Sequence, residues 1–210
     1  MVIAVNFENS YEHGPALSSQ YKLRHKCFVE RQDYNVSSFA SMEYDQYDNP
    51  SSVYLVYQDE QGEALGTSRL TPVTHRCMLK DLVPEMVDDH SIFDNPTVWE
   101  GTRFCVDKEL NASLRNQIVK HLVLGYHEFG LANGVSKIIG MMPTVIWKGV
   151  LQRNGSHCEE LGPIKIIDGQ KIQAVSITIN QSSLQSVMLK TGVTRGVLKS
   201  NDRERYKAAG

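Results

Sequence analysis

Apolar residues recur at helical spacing over residues 15–31. Leu17, Tyr21, Arg24 and Phe28 fall on one stripe there and most charges on other faces, so an amphipathic helix is expected. Residues 32–52 are polar, aromatic and acidic without a period and end in Asp48-Asn49-Pro50-Ser51-Ser52, which reads as a loop. Residues 53–57 and 64–71 look like strands joined across the turn signal Asp59-Glu60-Gln61-Gly62, and residues 97–106 form a third. Ser113 is then expected to cap a long helix with Leu114, Ile118, Leu122, Tyr126 and Phe129 on one stripe, closed by a left-handed Asn133-Gly134 end. The short apolar run 138–142 fits an internal strand buried on both faces. Pro143 opens a further helix through Trp147 and Leu151 to Asn154-Gly155. Strands near 162–167 and 172–179 and a helix over 182–189 complete the pattern. Several strands followed by alternating helix and strand predict one mixed α/β domain over residues 1–194, with helices on both faces of the sheet. Residues 195–210 are mostly polar and charged and are expected to fray.

The composition is that of an ordinary globular chain: 210 residues, 41% hydrophobic and 22% charged, with 7 prolines and 15 glycines. A net charge of -2 gives no field that would gather phosphates, so neither nucleic acid nor a polybasic membrane contact is expected. The first residues alternate like a strand without a basic leader, and no apolar run approaches the ~20 residues of a membrane helix, so a cytoplasmic protein is expected. Cys27, Cys77, Cys105 and Cys158 form no CxxC pair and the 7 histidines have no metal spacing, so free thiols and no metal are expected.

The informative feature is charge where charge is expensive. Arg24 shares a helix face with Phe28, and Glu43, Asp45 and Asp48 crowd one loop. Arg69 interrupts the strand residues Leu65-Gly66-Thr67-Ser68, and Glu100 and Arg103 lie inside Val98-Trp99-Glu100-Gly101-Thr102-Arg103-Phe104. Charges in core-like strands need partners, because an unpaired buried ion costs several kcal/mol. Singly, each fits a structural ion pair. Together, three arginines, four carboxylates, Phe28 and Tyr34 suit a ligand that is zwitterionic and carries a flat ring, such as an amino-acid nucleoside.

In order and spacing, Arg24-x3-Phe28, Glu43-x-Asp45-Gln46-Tyr47-Asp48, Gly66-x2-Arg69-Leu70 and Trp99-Glu100-x2-Arg103-Phe104 resemble the acyl-homoserine-lactone synthases, the bacterial quorum-sensing autoinducer synthases. The resemblance spans roughly residues 1–180. Tyr34 stands where the family usually has Trp, and Thr102 where it usually has Ser. It implies a single-domain α/β/α sandwich with a mixed sheet, similar to GNAT acyltransferases, and an enzyme that joins S-adenosylmethionine to a fatty acyl thioester. Arg24, Phe28, Tyr34, Asp45, Asp48, Arg69 and Arg103 would build and brace the S-adenosylmethionine side, and Glu100 would be the catalytic base. Phe104, Gly140, Met142, Ile146 and Val150 would line the acyl chain.

Glu100 and Arg103 point to opposite faces of a regular strand, so a shared site requires a bulge, and Gly101 is the expected place. Gly140 aligns with a position where relatives preferring 3-oxo chains tend to carry Thr. Glycine offers no hydroxyl, so an unsubstituted, branched or aryl chain is expected. Trp147 and the adaptable Met141 and Met142 would shape the pocket. Lys148 and Arg153, with Lys137 nearby, would receive an acidic acyl carrier protein.

The rival enzyme reading is a GNAT-type N-acyltransferase using acyl-CoA. The loop Val106-Asp107-Lys108-Glu109-Leu110-Asn111-Ala112-Ser113 has no glycine and two acids, unlike a pyrophosphate cradle, which tilts the donor towards carrier protein. The non-enzymatic reading is an acyltransferase-like domain that senses a ligand without turnover.

Overall fold

The computed structural model describes residues 1–34 and 36–199. The strands β1 (Val2–Val5), β4 (Val53–Gln58), β5 (Ala64–Pro72), β6 (Val98–Val106), β7 (Lys137–Pro143), β8 (Cys158–Glu160), β9 (Lys165–Ile167) and β10 (Gln170–Thr178) form one sheet. Its order is β1-β4-β5-β6-β7-β10-β8, with β9 also on β10. Neighbours are antiparallel except β6 and β7, which run parallel and pair only over Val98–Glu100 against Lys137–Ile139. Beyond that short ladder the two strands part, leaving a V-shaped opening in mid-sheet.

Helix α1 (Gly14–Arg24) covers one face, packing Ala16 and Leu23, with Cys27 from the turn that follows it, on Ile3, Val5, Val56 and Cys105. The long helix α3 (Ala112–Ala132) and α5 (Gln181–Thr191) cover the other. There Ile118, Leu122, Tyr126 and Phe129 meet Leu55, Leu70, Ile138 and Val175 in the main core. A third apolar cluster joins the short helix α2 (Met78–Leu82) to Val98, Ile139 and Ala174.

Several sequence expectations shift in detail. The first helix turns π-helical over His25–Glu30, and the loop that follows holds a two-stranded ribbon, β2 (Ser38–Phe39) with β3 (Met42–Glu43). Asn111, not Ser113, caps α3, its side chain accepting from the Leu114 amide. Gly134 takes the left-handed end at φ 68°. Pro143 precedes only one α-helical turn, α4 (Thr144–Trp147), which continues as a π-helical turn over Lys148–Gln152. The polar tail starts later than residue 195: Val197 and Leu198 are buried in the main core. The Glu128 carboxylate accepts both their amides at 3.0–3.1 Å, and Val197 carbonyl receives the Val2 amide. Two apolar residues with an acceptor waiting on α3 outweigh the polar composition around them. Residues 200–210 lie outside the described residues.

His127, fully buried in α3, sits between Ser183 Oγ and Ser156 Oγ, each at 3.1 Å, and burial pulls its pKa down to about 4 from 6.5. As pH falls from 6.5 to 4, the unfolded chain takes up a proton that the native imidazole refuses. Stability should therefore drop by roughly 3 kcal/mol from this group across that window. Urea unfolding of wild type and His127→Gln at pH 7 and pH 4.5 checks this: the wild type should lose more on acidification, and equal losses would contradict it.

Candidate active site

The charged residues singled out in the sequence meet at one end of α1. The π-helical turn after Arg24 re-aims the chain there, so that Arg24, itself fully buried, faces the ribbon and the loop beyond it. Arg24 Nε donates to Glu43 Oε2 at 2.6 Å, and its two Nη atoms grip Asp48 at 2.7 and 2.8 Å. Arg69, from β5, donates through Nη1 to Asp45 Oδ1 at 2.6 Å and lies 2.9 Å from Asp48 Oδ1, while Nε reaches Thr102 Oγ1 at 3.0 Å. Arg103, from β6, reaches Asp45 Oδ2 at 2.7 Å and Glu43 Oε1 at 3.0 Å. Three guanidiniums and three carboxylates thus form a charge-balanced buried ring.

Burial works against the charge on Arg24, but Asp48 and Glu43 outweigh it and raise its pKa. Burial likewise works against ionised Asp48, yet Arg24 and Arg69 hold it well below the usual carboxylate range. Tyr54 and Tyr21 extend the ring in a hydroxyl relay ending on Asp48, each link 2.9 Å.

A bulge brings Arg103 into this ring, but not at Gly101. Thr67 pairs with Cys105 and Arg69 with Thr102, so Arg103 and Phe104 together oppose Ser68 alone. Arg103 takes the left-handed conformation itself, at φ 55°, held there by two carboxylates. Glu100, Thr102 and Arg103 consequently share one face, while Phe104 turns to the other and meets Tyr126 edge-on at 6.1 Å. Gly101 has another task, because a Cβ there would lie 3.0 Å from Tyr126 Oη and 3.2 Å from Ile138.

Glu100 is 3% exposed, and its two carboxylate oxygens accept the amides of Met78 and Leu79, both at 2.7 Å. Burial raises its pKa above the usual carboxylate value despite those amides. The Met78 side chain then reaches back, placing Sδ 3.2 Å from Arg69 Nη2 and 3.9 Å from Arg103 Nη1. Phe28 and Tyr34 stack at 6.1 Å and 16°, with the Arg103 guanidinium 5.5 Å from the Phe28 ring.

The model of the autoinducer synthase family matches residues 9–187 of the chain. The chain belongs to that family. Among similar curated proteins is the acyl-homoserine-lactone synthase of Vibrio anguillarum, 28% identical over 173 residues, covering 80% of this chain and 89% of that protein. The one of Acinetobacter nosocomialis is 27% identical over 186 residues, covering 85% and 100%. A CoA-dependent acyl-homoserine lactone synthase, solved with S-adenosylmethionine and isopentyl-CoA, shares the fold at TM-score 0.82 and 22% identity, covering 95% of this chain and 92% of that one. An acyl-CoA N-acyltransferase from Pseudomonas aeruginosa superposes at TM-score 0.53. The expected α/β/α, GNAT acyltransferase-like sandwich is the fold found.

In this autoinducer synthase the opening between β6 and β7 is a slit of about 10 Å³, lined by Gly101, Tyr126, Ile138, Gly140, Met142 and Leu151 among others. Gly140 and Met142 sit on it. Phe104 lies beside Tyr126, Val150 packs against the core, and Ile146 is 45% exposed, away from the lining. A Cβ on Gly140 would lie 2.8 Å from the Gly101 carbonyl oxygen, so no larger residue enters without moving a strand. Lys148 and Arg153 are exposed on the turn beside the cleft, whereas Lys137 is paired with Glu159 at 2.6 Å.

The sequence reading counted Glu43 in the charged cluster but gave it no role in the site, although it is fully buried and bridges Arg24 to Arg103. Its place in the acidic loop was visible; its two partners were not. Tyr126 was read only as part of a helical stripe, and Met78 lies in a segment without periodicity. No group of three or more His, Cys, Asp or Glu residues that could hold a metal occurs among the described residues, and no helix there is long and apolar enough to cross a membrane.

Proposed function

We propose that this autoinducer synthase is a cytoplasmic enzyme that acylates the amine of S-adenosylmethionine from an acyl thioester and closes the product to an N-acyl-L-homoserine lactone. One observation carries this reading: the balanced ring of Arg24, Arg69 and Arg103 with Glu43, Asp45 and Asp48 lies on one face of β6, and the cleft opens at the same strand's splayed end. A zwitterionic nucleoside and an apolar chain are thereby brought to a single strand.

In the first step the α-ammonium gives one proton to Glu100, directly or through water, the free amine attacks the thioester carbonyl, and the carbon–sulfur bond breaks as the second proton lost by nitrogen passes to the departing thiolate. A strand amide freed by the parting of β6 and β7 would receive the oxyanion. In the second step the methionyl carboxylate attacks its own γ-carbon and expels methylthioadenosine. Closing a five-membered ring onto a sulfonium needs mainly a curled substrate, which a rigid ring of charges and the Phe28–Tyr34 stack favour.

Gly140 offers no hydroxyl to a 3-oxo group, and a Cβ there would lie 2.8 Å from the Gly101 carbonyl oxygen, which favours an unsubstituted, branched or aryl chain over a 3-oxo chain. Exposed Lys148 and Arg153 support an acidic carrier protein as the donor's bearer. Mass spectrometry after incubation with S-adenosylmethionine and a panel of acyl thioesters on carrier protein and on CoA tests the whole reading. Acyl-homoserine lactone and methylthioadenosine are expected in equal amounts, with a Michaelis constant for carrier-linked donors that rises with salt. No lactone from any donor would overturn the activity; CoA preference without a salt effect would overturn the docking patch alone.

A further inference from the structure

Almost every donor that the three arginines turn inward has a carboxylate or hydroxyl oxygen as its acceptor. The exception lies at one point. Arg103 Nη1 faces the thioether of Met78 at 3.9 Å, and Arg69 Nη2, whose other contact is Asp45 Oδ2 at 3.3 Å, faces it at 3.2 Å. Sulfur in a thioether is a weak acceptor, so Arg103 Nη1 and one N–H of Arg69 Nη2 have exchanged water for a poor partner, although strong acceptors surround them.

The backbone and the side chain of Met78 are held differently. Its amide is fixed on Glu100 at 2.7 Å, and so is that of Leu79. The unbranched side chain beyond has three rotatable bonds and can swing without disturbing that anchor. Leaving the spot would open a position between two guanidinium donors that a carboxylate would fill with short, charge-assisted hydrogen bonds.

We propose that Met78 is a displaceable gate: its thioether occupies the place of the substrate's carboxylate, and binding swings it aside while Glu100 keeps its backbone in position. The inference rests on the S-adenosylmethionine reading above and adds the residue that must move. Met78 is a positioning residue here, acting through Arg69 and Arg103. Because the carboxylate exchanges with sulfur, part of its binding energy is spent on the exchange, and a ligand without a carboxylate leaves the gate shut.

Methyl-labelled methionine makes the gate visible by NMR. The chain has 7 methionines, and the signal missing from Met78→Leu assigns the gate. S-adenosylmethionine should shift the Met78 methyl signal with the affinity measured by calorimetry, whereas its decarboxylated analogue should bind and leave that signal in place. Met78→Leu should bind S-adenosylmethionine about three- to tenfold more tightly, with the analogue's affinity unchanged. A Met78 signal that stays put while S-adenosylmethionine binds, one that moves alike with both ligands, or a variant that weakens both would each overturn the gate and leave the substrate reading standing. Absence of any S-adenosylmethionine binding to the wild type would remove the substrate reading and the gate together.

Discussion

Arg24→Met should destabilise the fold by about 3–5 kcal/mol, the usual consequence of removing one partner from a buried ion pair. Arg24 is fully buried and meets Glu43 and Asp48 with three of its nitrogens. Methionine replaces much of the volume but none of the donors, so three carboxylates are left against two guanidiniums at a site where Glu43 is fully buried and Asp48 nearly so. The balance can be restored only by protonating one acid. That gives the variant a distinctive pH dependence. In the wild type, Asp48 is held below its ordinary range, so its contribution is complete above pH 3.8 and fades as pH falls below it. In the variant a carboxyl of the ring is raised above its unfolded value, so the native state binds the extra proton and gains stability as pH falls towards 4. The gap between the two proteins in urea unfolding should narrow from pH 7 to pH 4.5. A gap below about 1 kcal/mol at pH 7 would mean that Glu43 and Asp48 find other partners. Against the 5–15 kcal/mol that holds a typical domain, the expected loss is large enough to empty a marginal fold.

The same ring shows what a linear reading can and cannot recover. Arg24, Arg69, Glu100 and Arg103 stood out because charge inside an apolar period is visible along the chain. Glu43 was visible in the cluster but not its role, because an acid in an acidic loop looks solvated until Arg24 and Arg103 close on it from elements 19 and 60 residues away. The bulge was deducible from parity, since residues three apart must otherwise face opposite ways. Its position was not, because Gly101 is the easier residue to bend, and only the carboxylates waiting at Arg103 make the less accommodating residue the one that turns. Secondary structure followed the same division. Long stripes such as Ile118, Leu122, Tyr126 and Phe129 marked their helix. The aperiodic segment before β6 gave no hint that α2 would be pinned there by Glu100.

Glu100→Gln should lower kcat by about 10² to 10⁴ while S-adenosylmethionine affinity changes at most several-fold. The carboxylate has two separable tasks. It accepts two α2 amides at 2.7 Å, using one lone pair on each oxygen, and it retains further acceptor capacity for a proton. Glutamine keeps one acceptor but turns an NH2 group towards the second amide, so α2 loosens and binding weakens modestly, whereas proton acceptance is lost outright. Burial raises the Glu100 pKa, which brings the group nearer to the pH at which an amine must be deprotonated. The acid limb of kcat against pH should therefore fall above the ordinary carboxylate range in the wild type and disappear from the residual activity of the variant. Stopped-flow turnover with calorimetric binding, from pH 5 to 8, separates the tasks. If affinity and turnover decline by the same factor and the acid limb survives the substitution, Glu100 anchors α2 and the proton leaves by another route.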